Sequence, residues 1–172
     1  MGATGDKVMG CNIPDIIPLS SVDGDYEAYE DTVYKEFCEC FENKEFKFRG
    51  VRVGHKRHPE YNGKSATFWH IISEGADEQN RLPDLRRYER IRWPFYIMEH
   101  CIDNCSDLLI WENERRGQTR ILIFCTHIDY LLVFAKRDGY VIFWTAYPVT
   151  ENHRKRKLLN EYKAYKAKAA QP

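Results

Sequence analysis

Residues 140–162 read YVIFWTAYPVTENHRKRKLLNEY and join an apolar segment to a strongly basic one. Side chains in 140–147 alternate as they do in a strand, which predicts that Thr145 and Tyr147 share one face. Pro148 has no backbone N–H to donate to a neighbouring strand, so we expect the strand to end there. A fold alone does not require this junction.

The basic segment predicts a helix that starts after a cap at Thr150. Its first two turns hold His153, Arg154, Lys155, Arg156 and Lys157. Acids are normally favoured at that position, because the amino-terminal end of a helix is the positive end of its dipole. We therefore expect an anionic ligand beside these turns.

The composition predicts one domain. A chain of 172 residues, of which 43% are hydrophobic, is long enough for one core and too short for two. We expect a loosely packed lead-in over residues 1–24, which has no sustained periodicity, and a single domain over residues 25–172. No apolar run approaches the roughly 20 residues that span a bilayer, so no membrane partner is expected. Six cysteines without a CxxC pair or a secretory signal predict reduced thiols in the cytoplasm.

The net charge of zero hides a strong asymmetry along the chain. Residues 1–45 hold eleven acids and three bases, residues 46–92 hold eleven bases and six acids, and residues 152–172 hold seven bases and one acid. Such an arrangement allows a local positive face on a neutral protein, which binding to a polyphosphate needs. The alternative is a set of solvated helices with uneven surfaces.

Periodicity divides the middle of the chain into helices and strands. It predicts an amphipathic helix from Asp25 to Cys40, a hairpin over 46–53, and helices over 65–75, over 81–92 and from Trp93 onward. His55 and His58, in the loop after the hairpin, lack further ligands that would complete a metal site, so no metal is expected.

Four strands in a meander are expected over 108–114, 119–126, 129–136 and 140–147, followed by a helix over 150–168. Their short connections force antiparallel neighbours. The sequence therefore predicts an α+β domain with several helices packed on one face of one four-stranded antiparallel sheet.

The order of several motifs resembles a phage-associated branch of the barnase, EndoU, colicin and RelE-like (BECR) nuclease superfamily. The motifs are TFWHIISEG (67–75), RRYERIRWPFYIMEH (86–100), LLIWEN (108–113), YLLVFAKRDGYVIFWTAYPV (130–149) and HRKRKLLNEY (153–162). The resemblance covers roughly residues 45–165 and implies the BECR-like RNase fold.

The resemblance also implies a metal-independent endoribonuclease of the phage or toxin type that needs no cofactor. In such an enzyme the RNA 2'-hydroxyl attacks the adjacent phosphate and leaves a 2',3'-cyclic phosphate end. This chemistry needs a group that takes a proton, a group that gives one, and donors around the phosphorane. The expected partners are RNA and an acidic antitoxin or immunity protein.

Catalytic roles are expected at His70, Arg90 and Thr145. An imidazole with an ordinary pKa of about 6.5 can exchange protons near neutrality, which suits His70 as the acid/base. Arg90, with Arg87 beside it, would donate to the pentacoordinate phosphate. The hydroxyls of Thr145 and Tyr147 would contact a phosphate oxygen or orient the 2'-hydroxyl.

Substrate binding is expected to continue along the last predicted helix. Arg154 and Lys157, together with His153, would hold flanking phosphates. His153 is also the alternative candidate for the catalytic imidazole.

Each assignment has an alternative from ordinary structure. A lone histidine on a short apolar helix, such as His70, is more often a packing residue than a catalytic one. Arg90 can pair with Glu89 or Glu74, and the two strand hydroxyls can be ordinary strand residues. The runner-up function is a non-catalytic module that binds nucleic acid or an antitoxin through the basic helix. A third possibility is an inactive phage structural accessory.

Overall fold

A computed structural model describes residues 12–172 of the chain. The helices are α1 (Tyr26–Phe37), α2 (Ala66–Ile72), α3 (Leu85–Glu89), α4 (Trp93–His100) and α5 (Asn152–Ala169). The strands are β1 (Phe46–Phe48), β2 (Val51–Gly54), β3 (Ser73–Glu74), β4 (Leu82–Pro83), β5 (Leu108–Arg115), β6 (Gln118–Cys125), β7 (Tyr130–Lys136) and β8 (Tyr140–Pro148).

The main sheet has six strands in the order β1-β2-β8-β7-β6-β5. Strands β5 to β8 form the expected meander of antiparallel neighbours. The predicted four-stranded antiparallel sheet is nevertheless wrong, because the β1–β2 hairpin joins it and β2 pairs in parallel with β8, Arg52 opposite Tyr140 and Gly54 opposite Ile142. A separate small sheet pairs β3 with β4.

Helices cover both faces of the main sheet, whereas the sequence predicted one covered face. On the first face, α1, α2 and α4 bury Phe37, Phe68 and Phe95 in a core with Phe143. On the second face, Leu158 of α5 packs in a separate cluster with Trp111, Leu122, Phe124 and Leu131 of the sheet. The strands are apolar on both sides, so each side needs a cover.

The segment before α1 contacts the body of the protein. Ile17 is buried, its N–H donates to the Glu89 carbonyl over 2.9 Å, and its carbonyl accepts from the Tyr29 hydroxyl over 2.7 Å. The Trp93 indole N–H donates to the Pro14 carbonyl over 2.9 Å. Residues 12–24 are therefore anchored, and the rest of the predicted loose lead-in, 1–11, lies outside the described residues.

Local hydrogen bonds set the limits of the short helices. The Ser65 hydroxyl caps α2 by accepting from the Phe68 N–H over 3.4 Å, as predicted. The predicted helix over 81–92 is wrong, because its first residues form β4 and Asp84 caps a new helix, α3, by accepting from the Arg86 N–H. The predicted cap at Thr150 is also wrong, since Glu151 occupies the cap position of α5.

Two further expectations concern the cysteines and the membrane. Cys101 is disulfide-bonded, so the prediction that all cysteines are reduced is wrong at that position. Four others are free thiols, at Cys38, Cys40, Cys105 and Cys125. Within residues 12–172, none of the helices combines the length and apolarity that crossing a bilayer requires.

Candidate active site

A cleft opens beside the second half of β8, where β2 no longer pairs with it. Strand β2 pairs with β8 only as far as Ile142, and α2 and α3 contact β8. The cleft has a volume of about 300 Å³. We call it the arginine cleft, after its lining by Arg81, Arg87, Arg115, Arg116 and Arg120, with His70, Glu78, Trp144, Thr145 and Tyr147.

A β-bulge in β8 directs the two predicted hydroxyls into this cleft. Val133 of β7 lies opposite Thr145 and Phe134 lies opposite Phe143, so Trp144 is the extra residue. Phe143 packs in the core against Phe41, which follows α1, and against Phe95 of α4. Thr145 and Trp144 line the cleft instead. The bulge therefore turns a core strand into one wall of the site.

The arginine cleft carries an excess of positive charge. Arg115 ends β5 and Arg116 occupies the following turn in a left-handed conformation, with a φ of 51°. Within residues 12–172, Arg115, Arg116 and Arg120 form no ion pair. Glu78 is the one acid among the lining side chains. A cleft of this kind favours an anionic ligand.

Three polar atoms of the cleft are buried without a hydrogen-bond partner among the described residues. They are Arg87 Nε, Arg120 Nη1 and Thr145 Oγ1. The nearest carboxylate oxygen to Arg87 Nε belongs to an ion pair with Asp84 at 3.7 Å, which is too long for a hydrogen bond. Buried polar groups are normally satisfied, so these three atoms leave hydrogen-bonding capacity unused at the lining of the cleft.

Burial also affects the two guanidinium groups that carry unpartnered atoms. It lowers the pKa of Arg120, and the charges of Arg137 and Arg115 lower it further. It likewise lowers the pKa of Arg87, with a second contribution from Arg81. Both groups remain charged at neutral pH, so a bound anion would relieve an electrostatic strain in the free protein.

Tyr147 connects the arginine cleft with the basic helix. The Arg87 guanidinium lies 4.8 Å from the centre of the Tyr147 ring, and Arg154 Nη2 donates to the Tyr147 hydroxyl over 2.7 Å. A second groove of about 280 Å³ runs along α5 and shares Tyr147 and Arg120 with the cleft. This α5 groove also contains Arg154 and Lys157, so basic side chains extend from the cleft into the groove, where Glu114 and Glu161 add two acids.

His70 lies on α2 at the edge of the cleft, with 16% of its side chain exposed. Its ring packs edge-to-face on Trp144 with centroids 5.3 Å apart. Burial is the largest cause that lowers the pKa of His70, and the charge of Arg81 acts in the same direction, whereas Glu78 opposes them. The net pKa is about 4. The imidazole is therefore neutral at pH 7 and has a lone pair that can accept a proton.

Glu78 and Arg81 are the charged neighbours of His70. Glu78 Oε1 lies 3.6 Å from His70 Nδ1, which is close enough for its charge to act on the imidazole but too long for a hydrogen bond. Arg81 donates to the His70 carbonyl over 3.0 Å and to the Gly75 carbonyl over 2.8 Å. The Arg81 guanidinium is thus largely occupied by backbone, and its role toward a ligand is its charge.

The structure brings together six of the eight predicted site residues. His70, Arg87, Thr145 and Tyr147 line the arginine cleft, and Arg154 and Lys157 line the α5 groove.

Arg90 and His153 lie outside both. Arg90 pairs with Glu89 over 3.1 Å and stacks on Trp93, as the structural alternative for it predicted. His153 has a side chain 79% exposed and pairs with Glu151.

Sequence reasoning missed Arg120 as well as the arginines of the β5–β6 turn. A signal for Arg120 was present, because it precedes Leu122 and Phe124 on the same face of β6. A charged residue in line with an apolar face requires an explanation. No comparable signal marks Arg115 and Arg116, which read as ordinary turn residues.

No protein-family model, curated protein or solved structure matches the chain. The resemblance to the nuclease superfamily therefore stays a prediction. Among residues 12–172, no cluster of three or more His, Cys, Asp or Glu side chains is arranged to hold a metal ion.

The lowered pKa of His70 predicts that acid destabilises the protein. Unfolded His70 binds a proton below about pH 6.5, whereas folded His70 does so only below about pH 4. The unfolded state therefore binds more protons between these values, and stability falls as the pH falls through this window. Between pH 7.5 and pH 4.5 this one group should lower the free energy of unfolding by roughly 2 to 3 kcal/mol.

Urea unfolding of the wild type and of His70→Gln at these two pH values measures that contribution. We expect the acid-induced loss to be smaller in His70→Gln by about the same amount. His153→Gln changes an exposed histidine and serves as the control, with the full loss retained. An equal loss in His70→Gln and the wild type would contradict the assignment.

Proposed function

We propose that the protein is a metal-independent endoribonuclease that cleaves RNA in the arginine cleft by transesterification. The observation that carries this proposal is the set of three unpartnered buried atoms, Arg87 Nε, Arg120 Nη1 and Thr145 Oγ1, beside a neutral histidine. The donors suit a phosphate group, and the histidine suits proton transfer. The resemblance in motif order supports the same reaction.

In the proposed reaction, the neutral imidazole of His70 takes the proton of the RNA 2'-hydroxyl. The 2'-oxygen then forms a bond to phosphorus, and the bond from phosphorus to the 5'-oxygen of the next nucleotide breaks. The Tyr147 hydroxyl, which accepts a hydrogen bond from Arg154, is free to donate its own proton to the departing oxygen. The products are a 2',3'-cyclic phosphate and a 5'-hydroxyl.

The remaining side chains stabilise charge or bind substrate. Arg87 and Arg120 would donate to the non-bridging oxygens as negative charge builds on the phosphorane, and Thr145 would donate a third hydrogen bond. Arg154 and Lys157 would hold phosphates of the adjoining strand along α5. Arg120 takes the role that sequence reasoning gave to Arg90.

The runner-up is a non-catalytic module that binds nucleic acid or an acidic antitoxin. It is favoured by α5, where Lys163, Lys166 and Lys168 are exposed and form no ion pair within residues 12–172. This module needs the positive charges but not a proton-transfer group. A neutralising acidic protein is a proposed partner under either function. The expected cytoplasmic location stays a prediction, and the disulfide at Cys101 argues against it.

The proposal predicts cleavage of RNA in the presence of excess EDTA. Purified protein incubated with single-stranded RNA should produce fragments with 2',3'-cyclic phosphate or 3'-phosphate ends, because the 2'-oxygen is the nucleophile. The same oligomer with 2'-O-methyl groups should stay intact. Mapping the ends by mass spectrometry checks this. Cleavage that requires added magnesium, or fragments with 3'-hydroxyl ends, would overturn the proposal.

A further inference from the structure

A larger pocket lies directly beside the arginine cleft. It has a volume of about 920 Å³ and lies between the loop after β2, helix α2 and strand β8. His70, Glu78, Arg81 and Trp144 line both cavities, so they form the boundary between them. Any group in the pocket would therefore be adjacent to a phosphate in the cleft.

Tyr61 and Trp69 contribute two aromatic rings to this pocket. Tyr61 is 65% exposed, and its ring meets Trp69 edge-to-face with centroids 5.5 Å apart. The Trp69 indole N–H donates to the Tyr61 carbonyl over 3.0 Å, which fixes the loop to α2 through the backbone. An exposed tyrosine held in place in this way presents a flat apolar surface at little cost in entropy.

The wall nearest the cleft combines an aromatic ring with positive charge. Lys56 Nζ lies 5.0 Å from the centre of the Trp144 ring. The Arg120 guanidinium lies 4.1 Å from the same ring but belongs to the arginine cleft. Gln79 and Glu78 add an amide and a carboxylate to the lining, which can both donate to and accept from a polar edge.

We propose that this pocket binds an unpaired nucleobase of single-stranded RNA, next to the phosphate that occupies the arginine cleft. Three observations support a base as the occupant: the exposed ring of Tyr61 beside the partly buried ring of Trp69 for stacking, the polar groups of Glu78 and Gln79 for its edge, and the shared boundary with the arginine cleft. The inference rests on the proposed function for the phosphate and adds the substrate class.

A base can enter this pocket only when it has left its helical stack. Duplex RNA presents phosphates to the arginine cleft but keeps its bases paired, so it gains nothing from Tyr61. Binding of single strands should therefore depend on the aromatic ring, while binding of duplexes should depend on the basic residues alone.

Binding of a fully 2'-O-methylated single strand tests the inference without cleavage. We expect Tyr61→Ala to weaken binding of this oligomer by roughly 5-fold to 100-fold, the usual effect of losing one stacking ring. Tyr61→Phe is the matched control and should bind like the wild type, because stacking needs the ring and the Trp69 hydrogen bond uses the backbone. The duplex of the same sequence should bind Tyr61→Ala and wild type equally.

The outcomes separate this inference from the proposed function. If the protein cleaves RNA in EDTA but Tyr61→Ala and wild type bind the single strand equally, the base pocket is overturned and the proposed function stands. The pocket would then suit another occupant, such as a side chain of a protein partner. A loss in Tyr61→Ala that is matched by Tyr61→Phe would also overturn it. Ring-dependent binding without any cleavage would keep the base pocket and reject the nuclease.

Discussion

Replacing His70 with alanine is expected to lower kcat for RNA cleavage by roughly 100-fold to 10,000-fold, the usual contribution of a positioned proton-transfer group. The neutral imidazole borders the cleft that holds the unpartnered donors, and Glu78 lies 3.6 Å from Nδ1. At neutral pH the substitution removes one edge-to-face contact, with Trp144 at the edge of the cleft, so the melting temperature should change little.

Two further measurements separate a catalytic from a structural role. His70→Gln keeps most of the side-chain volume and should lose activity like His70→Ala while binding a 2'-O-methyl oligomer normally. His153→Ala should remain active, because that side chain is exposed and lies outside the cleft. Full activity in a folded His70→Ala variant would reject the assignment. Loss of both fold and activity in His70→Ala and His70→Gln would support the packing role instead.

The pH profile gives an independent signature of the same group. In the free enzyme, kcat/KM should fall as His70 becomes protonated near its lowered pKa of about 4. A bound phosphate places negative charge beside the imidazole and raises that pKa, so the acid limb of kcat should lie at higher pH. The residual activity of His70→Gln should show neither the acid-side fall in kcat/KM nor that in kcat.

Local patterns in the sequence were enough to place the antiparallel strands but not the whole sheet. The alternation in β5 to β8 and the short turns between them specify antiparallel neighbours. The parallel pairing of Arg52 and Gly54 with β8 joins residues that are far apart in the chain. The alternation over 46–53 predicts a hairpin whether or not that hairpin pairs with another strand, so it does not reveal this pairing. The second covered face could have been predicted from β6 and β7. Their sequences are nearly continuous apolar runs with little alternation between apolar and polar residues, as in strands buried on both faces.

The site shows the same division between local and distant information. Thr145 and Tyr147 share a face by simple alternation, and their position at the end of β8 survives the bulge because both lie beyond it. Arg90 was placed beside Arg87 on the assumption of one continuous helix. That helix ends at Glu89, and Arg90 has a φ of −103°, so the spacing of three residues no longer puts both on one face.

Replacing Arg120 with methionine is expected to lower kcat/KM by roughly 100-fold to 1,000-fold without destabilising the protein. Arg120 Nη1 has no hydrogen-bond partner within residues 12–172, and over the same range the guanidinium forms no ion pair. Its removal therefore takes away a donor for the phosphorane but also a partly buried, unpaired charge. Methionine retains apolar contact with Trp144, so the melting temperature should stay unchanged or rise.

Arg90→Met is the matched control for this change. Arg90 already pairs with Glu89 and stacks on Trp93 outside the cleft, so its loss should change kcat/KM by no more than about twofold while lowering stability slightly. Arg120→Lys should recover only part of the activity, because lysine restores the charge but not the two-pronged donor geometry of a guanidinium. Equal losses in Arg120→Met and Arg90→Met would show that the cleft is not where the phosphate binds. If Arg120 serves to bind the phosphate, Arg120→Met should be stable and inactive, whereas Arg90→Met should remain active.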